Sequence, residues 1–256
     1  MNQYTFKELN LAPALYRAVE KEGYEVPTPI QIAAIPPLME GRDVIGCAQT
    51  GTGKTAAFAL PILHKIATDR PRPSAKSATV LVLTPTRELA AQVGDSFKKY
   101  GKLLNLRHSL VFGGVGQWPQ VQSLIRGVDV LVATPGRLLD LMKQGHLNLS
   151  GVKYFVLDEA DRMLDMGFMP DIRKVIAALP DKKQSLLFSA TISREIRDIA
   201  GKLLKDPVSI EVERTSMTAS NIEEKVFFVN DSDKHALLSD ILKDPEISRA
   251  LVFTRT

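Results

Sequence analysis

The chain holds a single cysteine, Cys47, among 256 residues. No intramolecular disulfide can form, which excludes a disulfide-stapled secreted scaffold. A lone thiol reads instead as a small buried hydrophobe of a reducing cytoplasm. No apolar run approaches the roughly 20 residues that a membrane helix needs. The opening stretch, MNQYTFKELN, has neither a basic start nor an apolar h-region, so no secretory signal is read there. Internal repeats, low-complexity segments and a ladder of aromatics able to stack on bases are missing too. Lysine and arginine exceed aspartate and glutamate only by 33 to 29, a net charge of +4. That balance permits a polyanionic partner without requiring one, so a case for nucleic acid must rest on a local surface. What the chain does have is apolar content: 45% of its residues are hydrophobic, enough for a large core.

The apolar content is concentrated in short β-branched runs: DVIGC (43–47), TVLVLT (79–84), HSLVF (108–112), DVLVAT (129–134), YFVLD (154–158), SLLFS (185–189) and VSIEV (208–212). They are apolar on both faces, as strands of a parallel sheet covered by helices are. Helical periodicity fills the gaps between them. TRELAAQVGDSFKKYGKLL, for example, sets Leu89, Val93, Phe97, Tyr100 and Leu104 on one face. Alternating strands and helices predict an α/β fold with a doubly wound, mainly parallel sheet and helices on both faces, its ligands at the carboxyl ends of the strands. DRPRPSAKSA (69–78) reads as an exposed loop. Residues 1–212 are expected to form this domain. ERTSMTASN (213–221) is polar and aperiodic and reads as a linker. Residues 222–256 then read as the start of a second sheet, a truncated β-α-β unit with strands at 225–229 and 249–253 and a helix near 232–243. Alone, that unit is too small to bury a core, and it is expected to be less stable than the first domain.

AQTGTGKT (48–55) follows the first strand and opens a helix, the setting that a phosphate-binding P-loop requires. Gly51 and Gly53, with Thr50 and Thr52 between and beside them, let backbone N–H groups converge on phosphate oxygens at a helix N-terminus. Lys54 reaches the β- and γ-phosphates, and Thr55 offers a hydroxyl to Mg²⁺. The first glycine of the general pattern is Ala48 here. VLDEAD (156–161) supplies the carboxylates at the end of a later strand. Asp158 is expected to hold Mg²⁺, partly through water, and Glu159 to orient or deprotonate an attacking water. In GYEVPTPIQ (23–31), Thr28, Pro29 and Gln31 make a helix start with a capping box, a reading sufficient in itself.

With PTRELAAQ (85–92), GG (113–114), TPGR (134–137) and SAT (189–191) following in order, the chain resembles the DEAD-box RNA helicases over essentially its whole length. AQTGTGKTAAFALPIL and DEADRMLDMGF are similar to the bacterial RhlE-like branch, and the closing LVFTRT looks like the first motif of the family's second domain. Ala48 is no departure in this family. The resemblance implies a RecA-like P-loop NTPase fold and an ATP hydrolase that remodels short RNA duplexes. It implies that Gln31 reads the adenine edge, Tyr24 stacks on the base, and Phe6 is the isolated upstream aromatic; the capping reading of Gln31 stands beside this. It implies RNA contacts through the backbone, by Pro85, Thr86 and Arg87, by Gly113 and Gly114, and by Thr134, Pro135, Gly136 and Arg137. Such contacts carry no base information and weaken with salt. For TPGR, helix capping by Thr134 with Pro135 at the first helical position is an equally local reading. Ser189 and Thr191 are implied to stand among the catalytic residues facing the reaction and also to couple the nucleotide to unwinding, with Asp161 as partner. Phe112 reads as core, and Trp118 is assigned to neither packing nor RNA. The resemblance further implies ATP and Mg²⁺ as cofactors, arginine fingers beyond Thr256 without which the chain would be nearly inactive, a cytoplasmic setting, partners in ribosome assembly or RNA decay, and a monomeric chain.

Overall fold

The computed structural model describes residues 5–70, 72–212 and 225–254. It divides into two compact units, Met1–Arg214 and Thr215–Thr256. The first alternates strands and helices: α1 (Pro13–Lys21), α2 (Pro29–Met39), β1 (Val44–Cys47), α3 (Lys54–Asp69), β2 (Ala78–Leu83), α4 (Arg87–Tyr100), β3 (His108–Val111), α5 (Trp118–Leu124), β4 (Val128–Ala133), α6 (Pro135–Lys143), β5 (Tyr154–Leu157), α7 (Ala160–Asp165), α8 (Met169–Ala178), β6 (Gln184–Ser189), α9 (Arg194–Leu203) and β7 (Val208–Glu211). All seven apolar runs are strands, in one sheet of order β3-β4-β2-β5-β6-β1-β7. Every pairing is parallel.

Strand periodicity explains the two-sided core. Successive side chains point to opposite faces. Val80, Val82, Val130, Val132 and Val156 therefore pack into one layer with α1 to α4. Their neighbours Leu81, Leu83, Leu131, Phe155 and Leu157 pack into the other with α5 to α9. The middle strands are apolar on both faces because both faces are covered. This sandwich fixes the strand ends, and the loops that leave them carry the candidate chemistry. The chain after β1 enters α3 on one face, whereas after β5 it enters α7 on the other. A crevice opens between loops that diverge in this way.

In the second unit the expected helix is present as α10 (Lys234–Ile241), preceded by a single 3₁₀ turn at Asp231–Asp233. The two expected strands are not: residues 225–229 and 249–253 carry no strand pairing. Apolar sequence makes a strand only where a neighbouring backbone accepts its hydrogen bonds. Phe228 is 98% exposed and Phe253 86%, so neither segment has a layer to pack against. The expected linker, 213–221, lies outside the described residues.

Candidate nucleotide site and nucleic-acid edge

A cavity of about 440 Å³ opens at the carboxyl ends of β1 and β5. It brings together Thr50, Gly51, Gly53, Lys54 and Thr55 from the loop after β1, Asp158 and Glu159 after β5, and Phe6, Tyr24 and Gln31 from the chain before β1. Of residues Thr50 to Thr55, only Thr52 does not line it. Its hydroxyl donates to the Gln49 carbonyl at 2.7 Å and so closes the loop from within. Lys54 is buried, and its ammonium donates to the Ala48 carbonyl at 2.9 Å. A phosphate oxygen drawn into the loop would compete for that ammonium with a neutral carbonyl, and an anion is the stronger acceptor.

Asp158 is buried in the cavity wall. Burial pushes its carboxyl up to about 6; the Lys54 ammonium pulls it down, and the neighbouring Glu159 and Asp161 charges push it further up. Its Oδ1 has no hydrogen-bond partner. A buried carboxylate oxygen left unsatisfied is costly and fits a cation. No cluster of three or more His, Cys, Asp or Glu able to hold a metal occurs among the described residues. The donor set therefore suits a hard ion that takes one carboxylate and the Thr55 hydroxyl and draws its remaining oxygens from phosphate and water, as Mg²⁺ does.

Glu159 is also buried, and its backbone is left-handed (φ 55°, ψ 52°), an uncommon conformation for a residue with a side chain. The turn puts Asp158 and Glu159 in the same cavity wall although they are consecutive. The Arg162 guanidinium lies 3.4 Å from Glu159 Oε2.

Gln31 does two jobs. Its Oε1 accepts from the Thr28 backbone N–H at 2.9 Å, one half of the capping box. Its Nε2 donates to the Gly53 carbonyl at 3.2 Å, tying α2 to the phosphate loop. Thr28 Oγ1 has no partner, so the other half is not made. Gly53 has φ +92°, and a Cβ there would meet Gln31 Nε2 at 2.5 Å; only glycine fits. Tyr24 is 41% exposed and its ring stacks against that of Phe6, with centroids 6.3 Å apart. Its hydroxyl lies 3.3 Å from that of Tyr100. Burial, and then this hydrogen bond, raise the Tyr100 phenol above its ordinary range. Leu89, Gln92, Ser96 and Tyr100 of α4 also line the cavity, and sequence reasoning missed them there. The helical period placed Leu89 and Tyr100 on one face without showing that the face borders the crevice.

Asp161 meets the end of β6. Its carboxylate accepts from the Ala190 and Thr191 backbone N–H groups at 3.1 and 3.0 Å and from the Thr191 hydroxyl at 3.3 Å. The Ser189 hydroxyl accepts from the Asp161 backbone N–H at 3.1 Å. Ser189 and Thr191 do not line the nucleotide cavity, which corrects their placement among the groups that face the reaction. They hold the Asp161 turn instead. Cys47, expected to be buried, is half-buried, with its Sγ 3.5 Å from the Ala190 carbonyl.

The three turns expected to face RNA follow β2, β3 and β4, which are neighbours in the sheet. Gly114 has φ +77°, and a Cβ there would lie 3.2 Å from Arg87 Nη1. Arg137 Nη2 donates to the Val115 carbonyl at 3.1 Å, and its buried Nη1 has no partner. Arg87, Gly113, Gly114 and Arg137 therefore form one edge. Thr86 caps α4 by accepting from the Leu89 N–H at 3.3 Å. Thr134 stands at the N-cap of α6 without a side-chain cap bond. Gly136 is exposed, whereas Pro85 and Pro135 are buried where their turns begin. Phe112 packs half-buried against the core, and Trp118 opens α5 with 66% of its surface exposed.

Comparison with known proteins agrees with this geometry. The family model described as DEAD/DEAH box helicase matches residues 28–199. The ATP-dependent RNA helicase dbp2 of Schizosaccharomyces pombe is 42% identical over 257 residues, which cover 98% of this chain and 46% of that protein. The ATP-dependent RNA helicase DeaD of Haemophilus influenzae is 42% identical over 258 residues, covering 100% and 41%. The crystal structure of a DEAD box protein from the hyperthermophile Methanococcus jannaschii superposes with a TM-score of 0.75 at 38% identity, covering 94% of this chain and 63% of that one. The chain thus spans about half the length of the curated relatives it matches. Its parallel seven-stranded sheet is the RecA-like fold of that structure, and the chain belongs to the DEAD/DEAH box helicase family.

Proposed function

We propose that the whole protein is an RNA-stimulated ATPase that locally unwinds short RNA duplexes, and that this chain supplies its ATP site and half of its RNA grip. The carrying observation is the convergence, in one cavity, of Lys54, Thr55, Asp158 and Glu159 with Gln31. The loop N–H groups and Lys54 bind the β- and γ-phosphates. Thr55 and Asp158 hold Mg²⁺, which when bound supplies charge neutralisation at those phosphates. Glu159 orients or deprotonates the attacking water, its position set by the left-handed turn. Gln31 and Tyr24 bind adenine in preference to guanine. Asp161, with Ser189 and Thr191, ties this site to the strand end beside it. Arg87, Gly113, Gly114 and Arg137 grip the RNA backbone and read no bases.

Residues 222–256, by their separate unit and the LVFTRT wording, are the opening of a second RecA-like domain that follows a linker at 213–221. That domain would bring arginine fingers, worth roughly 10³–10⁵ in rate, so this chain alone turns over ATP very slowly. The AQTGTGKTAAFALPIL and DEADRMLDMGF wording favours the bacterial RhlE-like branch, cytoplasmic and serving ribosome assembly or RNA decay, with this chain by itself monomeric. Among the described residues no helix is long and apolar enough to cross a membrane.

ATP hydrolysis by the full-length protein, measured with and without single-stranded RNA and with DNA of the same sequence, tests this. RNA should stimulate turnover and DNA should not. Equal stimulation by DNA would overturn the RNA assignment.

A further inference from the structure

At the opposite end of the sheet lies a second concave surface that the nucleotide and RNA readings do not use. A cavity of about 520 Å³ opens where β5 and β6 begin, at the register pair Tyr154 and Gln184. Four lysines line it from three parts of the chain: Lys65 from α3, Lys153 before β5, and Lys182 and Lys183 before β6. One acidic side chain, Asp69, lines it with them. None of the four lysines makes an ion pair among the described residues. Lys183 donates to the Pro180 carbonyl at 3.1 Å, and the nearby Lys205 donates to the Asp181 carbonyl at 3.1 Å. Two further carboxylates lie close by: Asp181, which acts on Lys183, and Asp43, which is committed to the Ser185 and Lys205 backbone N–H groups, both at 2.8 Å.

The cluster is short of negative charge. Burial and the Lys205 ammonium lower the Lys183 pKa, and Asp43 and Asp181 oppose this. The Tyr154 hydroxyl, pushed up to about 12 by burial and the Asp69 charge, stays a neutral donor there. An ordinary solvated face interleaves charges of both signs; this one gathers four of one sign around a hollow.

We infer that this hollow binds phosphate groups of an RNA backbone, as a second contact surface independent of the edge formed by Arg87, Gly114 and Arg137. Lysines present point charges suited to phosphate oxygens and carry no base information. No large exposed apolar side chain lines the hollow, as an inserting membrane surface would need. Roughly 13 Å of strand separates Tyr154 from Asp158, at about 3.3 Å per residue, so one phosphate cannot serve both ends. The two surfaces would hold two segments of one folded RNA, which tethers the chain near the duplex it acts on. The RNA identity rests on the function proposed above; the positive hollow does not.

Binding of a fluorescein-labelled 12-nucleotide single-stranded RNA to the chain, followed by anisotropy from 50 to 300 mM salt, tests this. Lys153 and Lys182 are both exposed, so the double variant Lys153→Gln, Lys182→Gln should melt at the wild-type temperature. Its affinity at 50 mM salt should fall, and its log K against log salt slope should be shallower by about 1.4, at about 0.7 per phosphate contact. Lys153→Arg with Lys182→Arg should restore both. Arg87→Gln with Arg137→Gln should weaken binding separately, and the two losses should combine additively. Wild-type affinity and slope in the lysine variant would overturn the inference whatever the arginine variant does. A loss confined to the arginine variant would leave the proposed function standing. A loss confined to the lysine variant would remove the sheet-edge reading and keep this one. Lysine-dependent binding to phosphatidylserine vesicles or to an acidic peptide, with RNA binding unchanged, would assign the hollow to that partner and refute RNA.

Discussion

Replacing Asp158 by asparagine should stabilise the metal-free chain while destroying its Mg²⁺-dependent grip on nucleotide. The Asp158 carboxyl titrates near pH 6 in the fold, against 3.8 in an exposed chain, chiefly because it is buried. Between those values the folded chain holds a proton that the unfolded chain has released. Stability contributed by this group therefore falls as pH rises from about 4 to about 6. Each decade of proton affinity is worth about 1.4 kcal/mol, so above pH 6 ionised Asp158 costs the fold about 3 kcal/mol. Asparagine keeps the shape and never carries the charge. At about 2–4 °C per kcal/mol for a domain of this size, Asp158→Asn should raise the melting temperature by roughly 6–12 °C at pH 8. Thermal unfolding in EDTA at several pH values gives the measurement. The gap between variant and wild type should be full at pH 8, shrink through pH 6 and close near pH 4. With Mg²⁺ and ATP the order should reverse, because only the carboxylate gains from the ion. A variant no more stable than wild type at pH 8 in EDTA, or a gap that does not change with pH, would refute the argument that Asp158 is held charged at the expense of the fold.

Gln31→Ala removes both the Thr28 and the Gly53 contacts. If Gln31 reads adenine, the ratio of ATP to GTP affinity should drop toward one; if it only caps α2, both nucleotides should weaken alike, which competition binding distinguishes. Asp161→Ala strips the acceptor from three donors at 190–191. It should cost about 1.5–3 kcal/mol in denaturant unfolding, the range for a hydrogen-bonded charge. In the full-length protein it should separate ATPase from unwinding, and an unwinding rate that falls only in step with ATPase would remove Asp161 from any coupling role.

The fold was legible because its signal is redundant. The five inner strands are apolar runs covered on both faces, the edge strands β3 and β7 are partly exposed, and helical periods fill the spaces between them. The two strands expected in the second unit failed for the complementary reason. KVFFV and RALVF have strand composition, but pairing is a property of two segments, and composition reports one. At the site, Lys54, Thr55 and Asp158 were legible because phosphate chemistry fixes residue type and spacing. The α4 wall was not, since Gln92 and Ser96 differ from any solvated helical position only through the crevice beside them. The burial of Pro85 and Pro135 was not legible, because a motif names residues without saying which shape the turn and which face out. The Lys65, Lys153, Lys182 and Lys183 hollow was invisible for a third reason: its members are scattered over 119 positions, and only the common start of β5 and β6 brings them together.

The four residues Asp158 to Asp161 join the nucleotide cavity to the loop after β6 within a single turn. Asp158 and Glu159 face the cavity, and Asp161 faces the loop after β6. Glu159 is the left-handed residue, and only Ala160, buried in the core, stands between it and Asp161. Leaving the left-handed region at Glu159 would swing the start of α7, and Asp161 cannot follow without breaking its bonds to Ala190 and Thr191. Metal or phosphate that draws on Asp158 and Glu159 therefore pulls on the same turn that holds the loop after β6.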